Sequence, residues 1–435
     1  MKQMPNISFS KSTAGSPLTI KVDDTQRFQT IDGFGAAMTE GSAWLLHDQL
    51  PAATREEVMS QLFDPNRGIG LSFLRLPIGS SDLSRSHYSY DDLPEGQTDP
   101  ELKFFSVSHD DADVFPIMRE ALKLNPAITV MATSWSPPAW MKTRPTMNGG
   151  ALREDAEPAF AAYLTRSVQA FQSAGIPIKY LTVQNEPLNE THDYPGTLML
   201  AQQSARLIGR YVGPGLQHAG LATRVLAYDH NWDHPEYAIA VLSDPTAAPF
   251  LAGSALHCYG GDVSAQDIIH QQFPRLGIWE TECSGGTWQK ENPLLATAHL
   301  LVRSTEHWAK SVLLWTIILD SDHNPHAGGC GTCRGLITVD LQAAPISITY
   351  NGDFYGLGQA SKFVHPGATR IASTSPGRDS VETVAFQNIN GTIALYVINN
   401  RSQRSDFAVH WHKSEFRTSL PPNSVATYTW TAAIE

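Results

Sequence analysis

The sequence predicts a (β/α)8 barrel with an additional antiparallel β-sandwich module, an α/β fold. Three features of the 435-residue chain support this fold class. Short apolar runs alternate with stretches of helical spacing, eight such runs can be counted, and short alternating runs replace this pattern near the C-terminus. Eight βα units are what a closed parallel barrel requires. We expect the barrel over residues 30–364 and the sandwich from residues 1–29 and 365–435.

Each predicted barrel strand is a short apolar run followed by a loop rich in Gly, Pro, Ser, Asp or Asn, residues that favour turns. The runs are Ile31–Ala37, Leu71–Ile78, Ile128–Thr133, Tyr180–Val183, Arg224–Tyr228, Gly253–His257, Gly277–Thr281 and Ser311–Ile317. Between and after them, apolar residues recur with helical spacing. The predicted helices are Thr54–Phe63, Asp110–Leu124, Pro158–Ala174, Leu198–Val212, Pro235–Leu242, Ser264–Phe273, Leu294–Lys310 and Asp353–Val364.

The C-terminal module begins after His365, where the sequence changes to short alternating runs broken by Gly, Asn, Pro and Ser. Alternation of this kind predicts antiparallel β structure. The predicted strands are Thr369–Thr374, Val381–Gln387, Thr392–Ile398, Phe407–His410 and Ser424–Trp430. Another alternating run, Leu18–Val22, is expected to contribute a strand to the same module.

The amino-acid composition limits the kinds of substrate and partner that this chain can bind. The formal net charge of −12 argues against nucleic acid and anionic membranes as partners, because both would repel the chain. No run approaches the roughly 18 apolar residues of a spanning helix, and the N-terminal residues lack an apolar signal core, so we expect a soluble chain without a transmembrane segment. No phosphate loop or dinucleotide fingerprint appears, so no cofactor is expected. A neutral or hydrophobic substrate fits better.

Two glutamates follow strands that face each other across the predicted barrel. Glu186 follows the fourth strand in Gln184-Asn185-Glu186-Pro187, and Glu282 follows the seventh. Barrel active sites lie at the carboxyl ends of the strands, and glycoside hydrolysis needs two carboxyl groups flanking the scissile bond. We therefore predict that Glu186 and Glu282 are the catalytic residues of a glycoside hydrolase.

Other strand ends carry residues suited to a sugar, since aromatic faces and hydroxyls match the apolar and polar sides of its ring. The alternative interpretation is that these residues form structural ion pairs or belong to the aromatic core. Their placement at strand ends argues against it. His257 is assigned no proton-transfer role, and no metal site is expected among these residues. The predicted substrate-binding residues are Arg75, Asp82, Trp135, Asn185, Asp229, His257, Tyr259 and Trp315.

Five segments form an ordered set along the chain: Ile31–Thr39, Arg75–Pro77, Ser134–Lys142, Gln184–Pro187 and Phe354–Phe363. In this order they resemble glycoside hydrolase family 30, the family that includes glucocerebrosidase. Asn-Glu-Pro alone is shared by many barrel glycosidases, whereas the ordered set is specific to this family. The resemblance implies a barrel with a side β-sandwich and a double-displacement mechanism that retains anomeric configuration.

The same resemblance implies roles for individual residues. Glu186 is similar to the family's acid/base, Asn185 to the group that meets the sugar 2-hydroxyl, and Glu282 to the nucleophile, which follows a small hydroxyl residue as Thr281-Glu282 does. The remaining matches to family positions in or near the sugar pocket are Arg75, Asp82, Trp135, His257, Tyr259 and Trp315.

The resemblance favours a β-glucoside substrate, of the glucosylceramidase or β-glucosidase type. Residues 320–335 depart from glucocerebrosidase in a loop that helps to shape the site beyond the first sugar. The alternative is therefore a β-1,6-glucanase, β-xylosidase or other family 30 specificity on the same mechanism. A non-catalytic carbohydrate-binding protein is a more remote alternative, which the presence of both carboxylates opposes.

The four cysteines allow several interpretations. The two-residue spacing of Cys330 and Cys333 fits a local disulfide, free thiols or a metal knuckle, for which Cys258, Cys283, His323 and His326 are further candidate ligands. Cys283 with His257 would make a thiol nucleophile and base, but no third group to orient them is evident. We expect Cys330 and Cys333 on the catalytic face of the barrel.

Glu280 competes with Glu282 for the nucleophile's role, because strand alternation would place both side chains on one face. Glu282 lies nearer the carboxyl end of its strand, where barrel chemistry occurs. Glu280 is expected to lie deeper in the barrel, paired with a cation such as Arg75 or accepting structural hydrogen bonds.

Overall fold

The computed structural model describes residues 1–11, 18–376 and 380–431. Eight parallel strands close into a barrel in chain order, and the eighth pairs with both the seventh and the first. The strands are Gly33–Ala37, Phe73–Ile78, Thr129–Ser134, Tyr180–Thr182, Arg224–Asn231, Leu251–His257, Gly277–Glu282 and Ala309–Leu314. This confirms the predicted barrel, and every strand overlaps a predicted apolar run.

Large side chains fill the interior of the barrel, as they must for the closed sheet to exclude water. They form a buried cluster of one residue from each of seven strands: Phe73, Met131, Tyr180, Leu226, Ala255, Trp279 and Leu313. The barrel therefore has a solid apolar interior. Asp32 accepts hydrogen bonds from Tyr180 and Trp279 at its amino-terminal end, and a larger group of polar side chains lies toward the carboxyl ends of the strands.

Helices cover the outside of the barrel close to where their spacing predicts. Several predicted ends are wrong by three residues or more. The helix predicted over Leu198–Val212 starts at Ala201 and continues to His218, and the helix predicted to reach Lys310 ends at Glu306, because Ala309–Leu314 is the eighth strand. The helix predicted from Asp110 starts at Val114, and the one predicted to reach Val364 ends at Ser361. The α-helices are Glu40–Trp44, Ala52–Phe63, Val114–Leu124, Glu157–Ser173, Ala201–Leu207, Gly213–His218, Pro235–Ser243, Ala265–Gln272, Pro293–Glu306 and Gly352–Ser361. Two π-helical segments, Leu45–Gln49 and Ile208–Val212, and three 3-10 segments, Ala139–Met141, Glu154–Ala156 and Ala248–Phe250, supplement them.

The second module is an eight-stranded sheet folded into a sandwich. In spatial order its strands are Ser10–Lys11, Ser414–Leu420, Ser405–Trp411, Thr19–Thr30, Thr369–Ser373, Val381–Gln387, Thr392–Asn399 and Ser424–Thr431. The strand Thr19–Thr30 lies in this sheet, as the alternating run Leu18–Val22 predicts. The strand Ser414–Leu420 was not predicted, because its sequence, SEFRTSL, has few apolar residues to alternate. Its Phe416 packs against Tyr428 with ring centroids 5.4 Å apart, which places the two ends of the sheet face to face.

The sandwich packs on the barrel through its other face. The hydroxyl of Tyr396 donates to the carbonyl oxygen of Gly356 over 2.9 Å, and the Phe386 ring lies 6.2 Å from Phe34 of the first barrel strand. No described helix is both long and apolar enough to cross a bilayer.

Two small sheets lie outside the barrel and the sandwich. Gly285–Gly286 pairs with Cys333–Arg334, which joins the loop after the seventh strand to the loop after the eighth. The strands Ile318–Asp320, Ile337–Asp340 and Ser347–Tyr350 form the second of these sheets. The loops that follow the last two barrel strands are therefore ordered by pairing with other segments.

Candidate active site

A pocket of about 410 Å³ opens at the carboxyl ends of the barrel strands. Parallel strands of a barrel all end on one face, so side chains that follow different strands meet there. The pocket is lined by Asp82, Trp135, Asn185, Glu186, Asp193, Tyr194, Tyr259, Glu282, Ser284, Trp288, Trp315, Gly329, Cys330 and Cys333. Both predicted catalytic glutamates and most of the predicted binding residues therefore share one cavity.

Three of the predicted binding residues lie beneath this pocket and do not line it. Arg75, Asp229 and His257 are 0% exposed and belong to the second, fifth and sixth barrel strands. The direct sugar contact expected of them is not available in this structure. Their polar atoms contact the pocket residues from below, and we call these three residues the floor.

Glu282 ends the seventh strand with both carboxylate oxygens hydrogen-bonded. Arg75 donates from Nη1 to Oε2 over 2.5 Å, and the hydroxyl of Tyr259 donates to Oε1 over 3.0 Å. Charge-assisted bonds of this kind fix the orientation of a carboxylate. Burial and the Glu282 charge together raise the pKa of Tyr259 well above its usual value, so the phenol remains a donor.

Asp229 is the centre of the floor. Its Oδ2 accepts from Nη2 of Arg75 over 2.9 Å, and its Oδ1 lies 3.1 Å from Nε2 of His257. Burial alone would raise the pKa of Asp229, but the Arg75 charge and the His257 hydrogen bond lower it well below the usual value. Its other donors are three threonine hydroxyls, at 2.9 Å for Thr133, 2.6 Å for Thr182 and 2.7 Å for Thr281.

The backbone around these acids departs from regular strand geometry. Glu186, Tyr228 and Asp229 have positive φ angles of 44°, 79° and 68°, which residues with a Cβ adopt infrequently. The pairing of the fifth strand with the sixth shifts register between Tyr228 and His230, and the amide of Glu186 donates to the carbonyl oxygen of Asp229 over 3.0 Å. This local conformation brings the fourth and fifth strand ends into direct contact.

Glu186 lies across the pocket from Glu282 and has two partners of its own. Its Oε1 is 3.3 Å from Nδ1 of His257, and its Oε2 accepts from Nδ2 of Asn189 over 2.8 Å. Burial opposes ionisation, but the hydrogen bond and charge of His257 outweigh it and lower the pKa of Glu186 to about 2. Glu186 is therefore ionised near neutral pH.

His257 carries the proton that Glu186 lacks. Burial would lower its pKa, but the charge of Glu282 and its hydrogen bonds to Asp229 and Glu186 raise the pKa to about 10. As an imidazolium, it donates from both ring nitrogens. One ligand atom from each of Glu186, His257 and Glu282 lies within 4.8 Å of the others, the only such convergence of metal-binding groups among the described residues. A metal ion there would have to displace the His257 proton.

The predicted aromatic residues divide between core and pocket. Trp135 and Trp315 are almost fully buried and stack with ring centroids 5.1 Å apart, while the guanidinium carbon of Arg75 lies 4.8 Å from the centre of the Trp135 ring. Both rings still line the pocket, so they serve the core and the cavity together. Asn185 also lines it, with Oδ1 accepting from Nη2 of Arg75 over 2.7 Å.

Asp82 is a predicted binding residue whose negative charge is opposed by its surroundings. Burial, and then the nearby charges of Glu282 and Glu186, raise its pKa to about 7. A backbone amide from Cys330 approaches its Oδ2 at 3.4 Å, which only partly compensates. Asp82 therefore titrates within the ordinary working range of an enzyme.

Glu280 does not lie beside Arg75. Its Oε2 accepts from Nε1 of Trp232 over 3.1 Å and from Nε2 of Gln266 over 3.2 Å, and Gln266 is on the helix that covers the barrel. The expectation that alternation places Glu280 and Glu282 on one face is wrong, because a register shift in the seventh strand leaves one residue between them unpaired. Burial raises the pKa of Glu280 well above its usual value, so it is neutral.

Sequence reasoning missed several residues of the pocket. Asn189 follows Glu186 by three positions, a spacing that could have suggested a contact. The other omissions come from loops without periodic pattern, and no sequence signal marked them. They are Asp193, Tyr194, Ser284, Trp288 and Gly329.

All four cysteines are paired. Cys330 and Cys333 form a local disulfide and line the pocket, which confirms their predicted position on the catalytic face. Cys258 and Cys283 form a second disulfide between the ends of the sixth and seventh strands, which was not predicted. The free-thiol and zinc alternatives are therefore wrong, and Cys283 is not available as a thiol nucleophile.

Comparison with known proteins identifies close relatives of this architecture. Residues 31–325 match the glycosyl hydrolase family 30 TIM-barrel domain, and residues 367–428 match the glycosyl hydrolase family 30 β-sandwich domain. An endo-1,6-β-D-glucanase of Neurospora crassa is 35% identical over 409 residues, covering 89% of this chain and 83% of the relative. The lysosomal acid glucosylceramidase of Mus musculus is 27% identical over 445 residues, covering 96% and 84%. A solved endo-β1,6-glucanase structure superposes with a TM-score of 0.90 at 31% identity, covering 97% of this chain and 95% of the other.

Proposed function

This chain belongs to glycoside hydrolase family 30, and from that premise we propose that it is a retaining endo-β-1,6-glucanase with Glu282 as nucleophile and Glu186 as acid/base. The relatives named endo-1,6-β-glucanase are more similar in sequence than the glucosylceramidase, at 35% and 31% identity against 27%. We therefore rank β-1,6-glucan above the β-glucoside or glucosylceramide substrate that the sequence alone favoured.

The observation that carries the proposed chemistry is the short separation of the two glutamates. An oxygen of Glu186 and an oxygen of Glu282 lie within 4.8 Å of each other in one pocket. Retaining glycosidases hold their carboxyl groups about 5–5.5 Å apart, whereas inverting enzymes need roughly 6.5–9.5 Å to admit a water molecule. The separation supports direct attack by Glu282 on the sugar.

In the first half-reaction, Oε1 or Oε2 of Glu282 attacks the anomeric carbon as the glycosidic bond breaks. The departing oxygen takes a proton from Glu186, so the products are a glycosyl ester on Glu282 and a free hydroxyl on the leaving sugar. Arg75 and Tyr259 hold the nucleophile at 2.5 Å and 3.0 Å before it reacts. This preorganisation lowers the cost of reaching the attacking geometry.

In this proposal the acid proton comes from His257, a proton-transfer role that the sequence alone did not assign to it. His257 Nδ1 lies 3.3 Å from Glu186 Oε1, and a bound sugar would exclude water from Glu186 and so raise its pKa. The proton then passes to Glu186 and on to the leaving group. In the second half-reaction, Glu186 takes a proton from water as the water oxygen attacks the anomeric carbon, and Glu282 is released. The proton on Glu186 then returns to Nδ1 of His257, which restores the starting state.

The proposal is tested with a panel of β-linked substrates. Purified enzyme should cleave β-1,6-glucan more efficiently than glucosylceramide, aryl β-glucosides or aryl β-xylosides, and should release oligosaccharides before glucose. Glucose as the first and sole product would show exo action of the β-glucosidase type. Preference for glucosylceramide or xylosides would overturn the proposed substrate.

Stereochemistry is tested separately on the same panel. Proton NMR of the first sugar released should show the β anomer. An initial α anomer would rule out double displacement even if β-1,6-glucan is the substrate.

A further inference from the structure

The mouth of the pocket has one wall built from two loops, residues 284–289 and 329–334, which we call the mouth wall. Gly285 and Gly286 pair with Arg334 and Cys333, and the amide of Thr287 donates to the carbonyl oxygen of Thr332 over 3.1 Å. The first loop follows the proposed nucleophile directly. The wall is therefore fixed to the strand that carries Glu282.

Arg334 anchors this wall to the rest of the protein. Its Nη2 donates to Oε1 of Gln289 over 2.6 Å, and its Nε donates to Oδ2 of Asp353 over 2.7 Å, at the start of the helix Gly352–Ser361. A surface held in this way before the ligand arrives loses less entropy on binding. The mouth wall is thus a preorganised binding surface.

Trp288 is the aromatic residue of the mouth wall. It is 52% exposed and lines the same pocket as Glu282. A Cβ built at Gly286 would lie 2.0 Å from Cζ3 of Trp288 and 2.5 Å from the carbonyl oxygen of Thr332. The indole therefore rests directly against the Gly286 backbone, and glycine is the residue that leaves space for it.

The position of Trp288 suggests which part of a substrate it meets. The inner end of the pocket is closed by the buried rings of Trp135 and Trp315. With the glycosyl unit held between Glu186 and Glu282 against this inner end, the sugar on the leaving-group side lies toward the open mouth. Trp288 lies at that mouth with much of its ring exposed.

We propose that Trp288 binds the glucosyl unit on the leaving-group side of the scissile bond, with the indole stacked on the apolar face of the sugar. This inference rests on the proposed function and assigns its leaving-group subsite. Stacking on an aromatic face supplies affinity and orientation without requiring a charged contact. Single exposed apolar residues are common on protein surfaces, but this one is seated on a glycine inside a pocket.

The test compares two substrates that differ only in the leaving group. β-Glucosyl fluoride occupies the glucosyl subsite and leaves as fluoride, whereas a β-1,6-linked glucose disaccharide also needs the leaving-group subsite. Trp288→Ala should lower kcat/KM for the disaccharide about tenfold, mainly through KM, which corresponds to a loss near 1.4 kcal/mol. Turnover of β-glucosyl fluoride should change less than about twofold, because the variant leaves the charged site intact.

Three further variants complete the design. Trp288→Phe should recover most of the disaccharide activity, because a ring remains to stack on the sugar. Gly286→Ala should reproduce the selective loss, since the added methyl group displaces the indole. Ile389→Ala, at an 84% exposed residue of the sandwich module, should change neither substrate.

Equal losses on both substrates in Trp288→Ala would assign the residue a structural role, and no loss on either would also overturn the inference. Failure of the proposed function gives a different result, namely a wild-type enzyme that does not cleave the β-1,6 linkage. In that case the loss caused by Trp288→Ala is measured on the β-linked disaccharide that the wild type does cleave and is compared with its loss on β-glucosyl fluoride. That comparison then decides the inference.

Discussion

The floor and the mouth wall of the pocket differ in burial and in the interactions that hold them. The floor residues Arg75, Asp229 and His257 are 0% exposed, lie on barrel strands, and meet one another through charged hydrogen bonds. The mouth wall lies on loops and presents Trp288 with half of its surface exposed. The floor can orient catalytic groups only while every charge keeps its partner, whereas the mouth wall can vary without disturbing them. If the proposed roles hold, the groups that set the reaction type lie in the floor and those that select the substrate lie in the mouth wall.

Charge balance explains why the floor tolerates little change. Two cations, Arg75 and protonated His257, face the carboxylates of Asp229, Glu186 and Glu282 in a space with little water. Attraction between opposite charges is strong in such surroundings, but each charge left without its partner is costly. Substitutions in the floor should therefore affect catalysis and stability together.

The largest effect should come from removing the proposed nucleophile above the floor. Glu282→Ala should lower hydrolysis of an activated aryl β-glucoside by at least about 10⁴-fold, because no group remains to form the covalent intermediate. Added azide should restore part of the turnover by attacking the anomeric carbon directly, giving a product of α configuration. Product NMR would detect this change of configuration.

Glu280→Gln is the matched control for that variant, because it changes another glutamate of the same strand. Glu280 faces Gln266 and Trp232 and is neutral, so glutamine replaces it with similar shape and charge. Activity should remain within about threefold of wild type. If labelling with a mechanism-based fluorosugar modified Glu280, the assignment of the nucleophile would be overturned.

The next largest effect should come from the floor itself. Asp229→Asn removes the counter-ion shared by Arg75 and His257, so the pKa of His257 should fall and less proton should be available to Glu186. We expect kcat to fall by about 10²–10³-fold and the free energy of unfolding by roughly 3–5 kcal/mol. Thermal unfolding and kinetics on one preparation would measure both, with exposed Asp406→Asn as control. Normal stability with normal kcat would show that the floor is not an electrostatic unit.

The same contrast explains how far sequence reasoning reached. Asp229 and His257 lie at the ends of their apolar runs, Arg75 lies within the second run, and the carboxyl halves of barrel strands necessarily meet, so their convergence could be predicted. Trp288 and Tyr194 enter the pocket only because loops distant in sequence pair with each other, as Gly286 does with Cys333. The local periodicity of the sequence gives no signal of such pairing.

Errors within the barrel have one main physical cause. Strand alternation predicts facing direction only while pairing stays in register, and the register shifts beside Asp229 and between Glu280 and Glu282. Both irregularities lie next to proposed catalytic groups. Sequence patterns are therefore least informative at the site where local geometry is least regular.

A smaller effect, on pH dependence, should come from Asp82 at the boundary of the two regions. Its pKa of about 7 means that it is neutral in acid and adds a third negative charge beside Glu186 and Glu282 as pH rises through 7. Wild-type kcat/KM should fall through that range, and Asp82→Asn should flatten this alkaline limb even if KM rises. Profiles from pH 5 to about 9 would show an unchanged limb if another group is responsible.

Asp82 also gives a stability test with a defined sign. Its folded pKa lies above the unfolded value of about 3.9, so its contribution favours folding below that value and is lost progressively as pH rises through about 7. The gain in Tm of Asp82→Asn over wild type should therefore be larger at pH 8 than at pH 4. An equal difference at both values would contradict the raised pKa.

The smallest effect should come from the disulfide of the mouth wall, because that disulfide is not the only constraint on its loop. Cys333 is already paired with Gly286, its carbonyl oxygen lies 2.7 Å from Nδ1 of His323, and the amide of Gly329 donates to Asp193 over 3.0 Å. A disulfide spanning three positions closes a short loop, so its loss should cost roughly 2 kcal/mol or less.

The double substitution Cys330→Ser, Cys333→Ser should therefore leave β-glucosyl fluoride turnover within about twofold of wild type. Glucan cleavage should fall by about two- to fivefold, since the loop bearing both cysteines lines the pocket mouth and supports the Trp288 wall. Equal activity on both substrates, with unchanged preference among β-linked disaccharides, would show that the pairing of the two loops alone fixes the wall. Loss of β-glucosyl fluoride turnover would instead show that the mouth wall holds the nucleophile strand in place, and the separation of floor from mouth would fail.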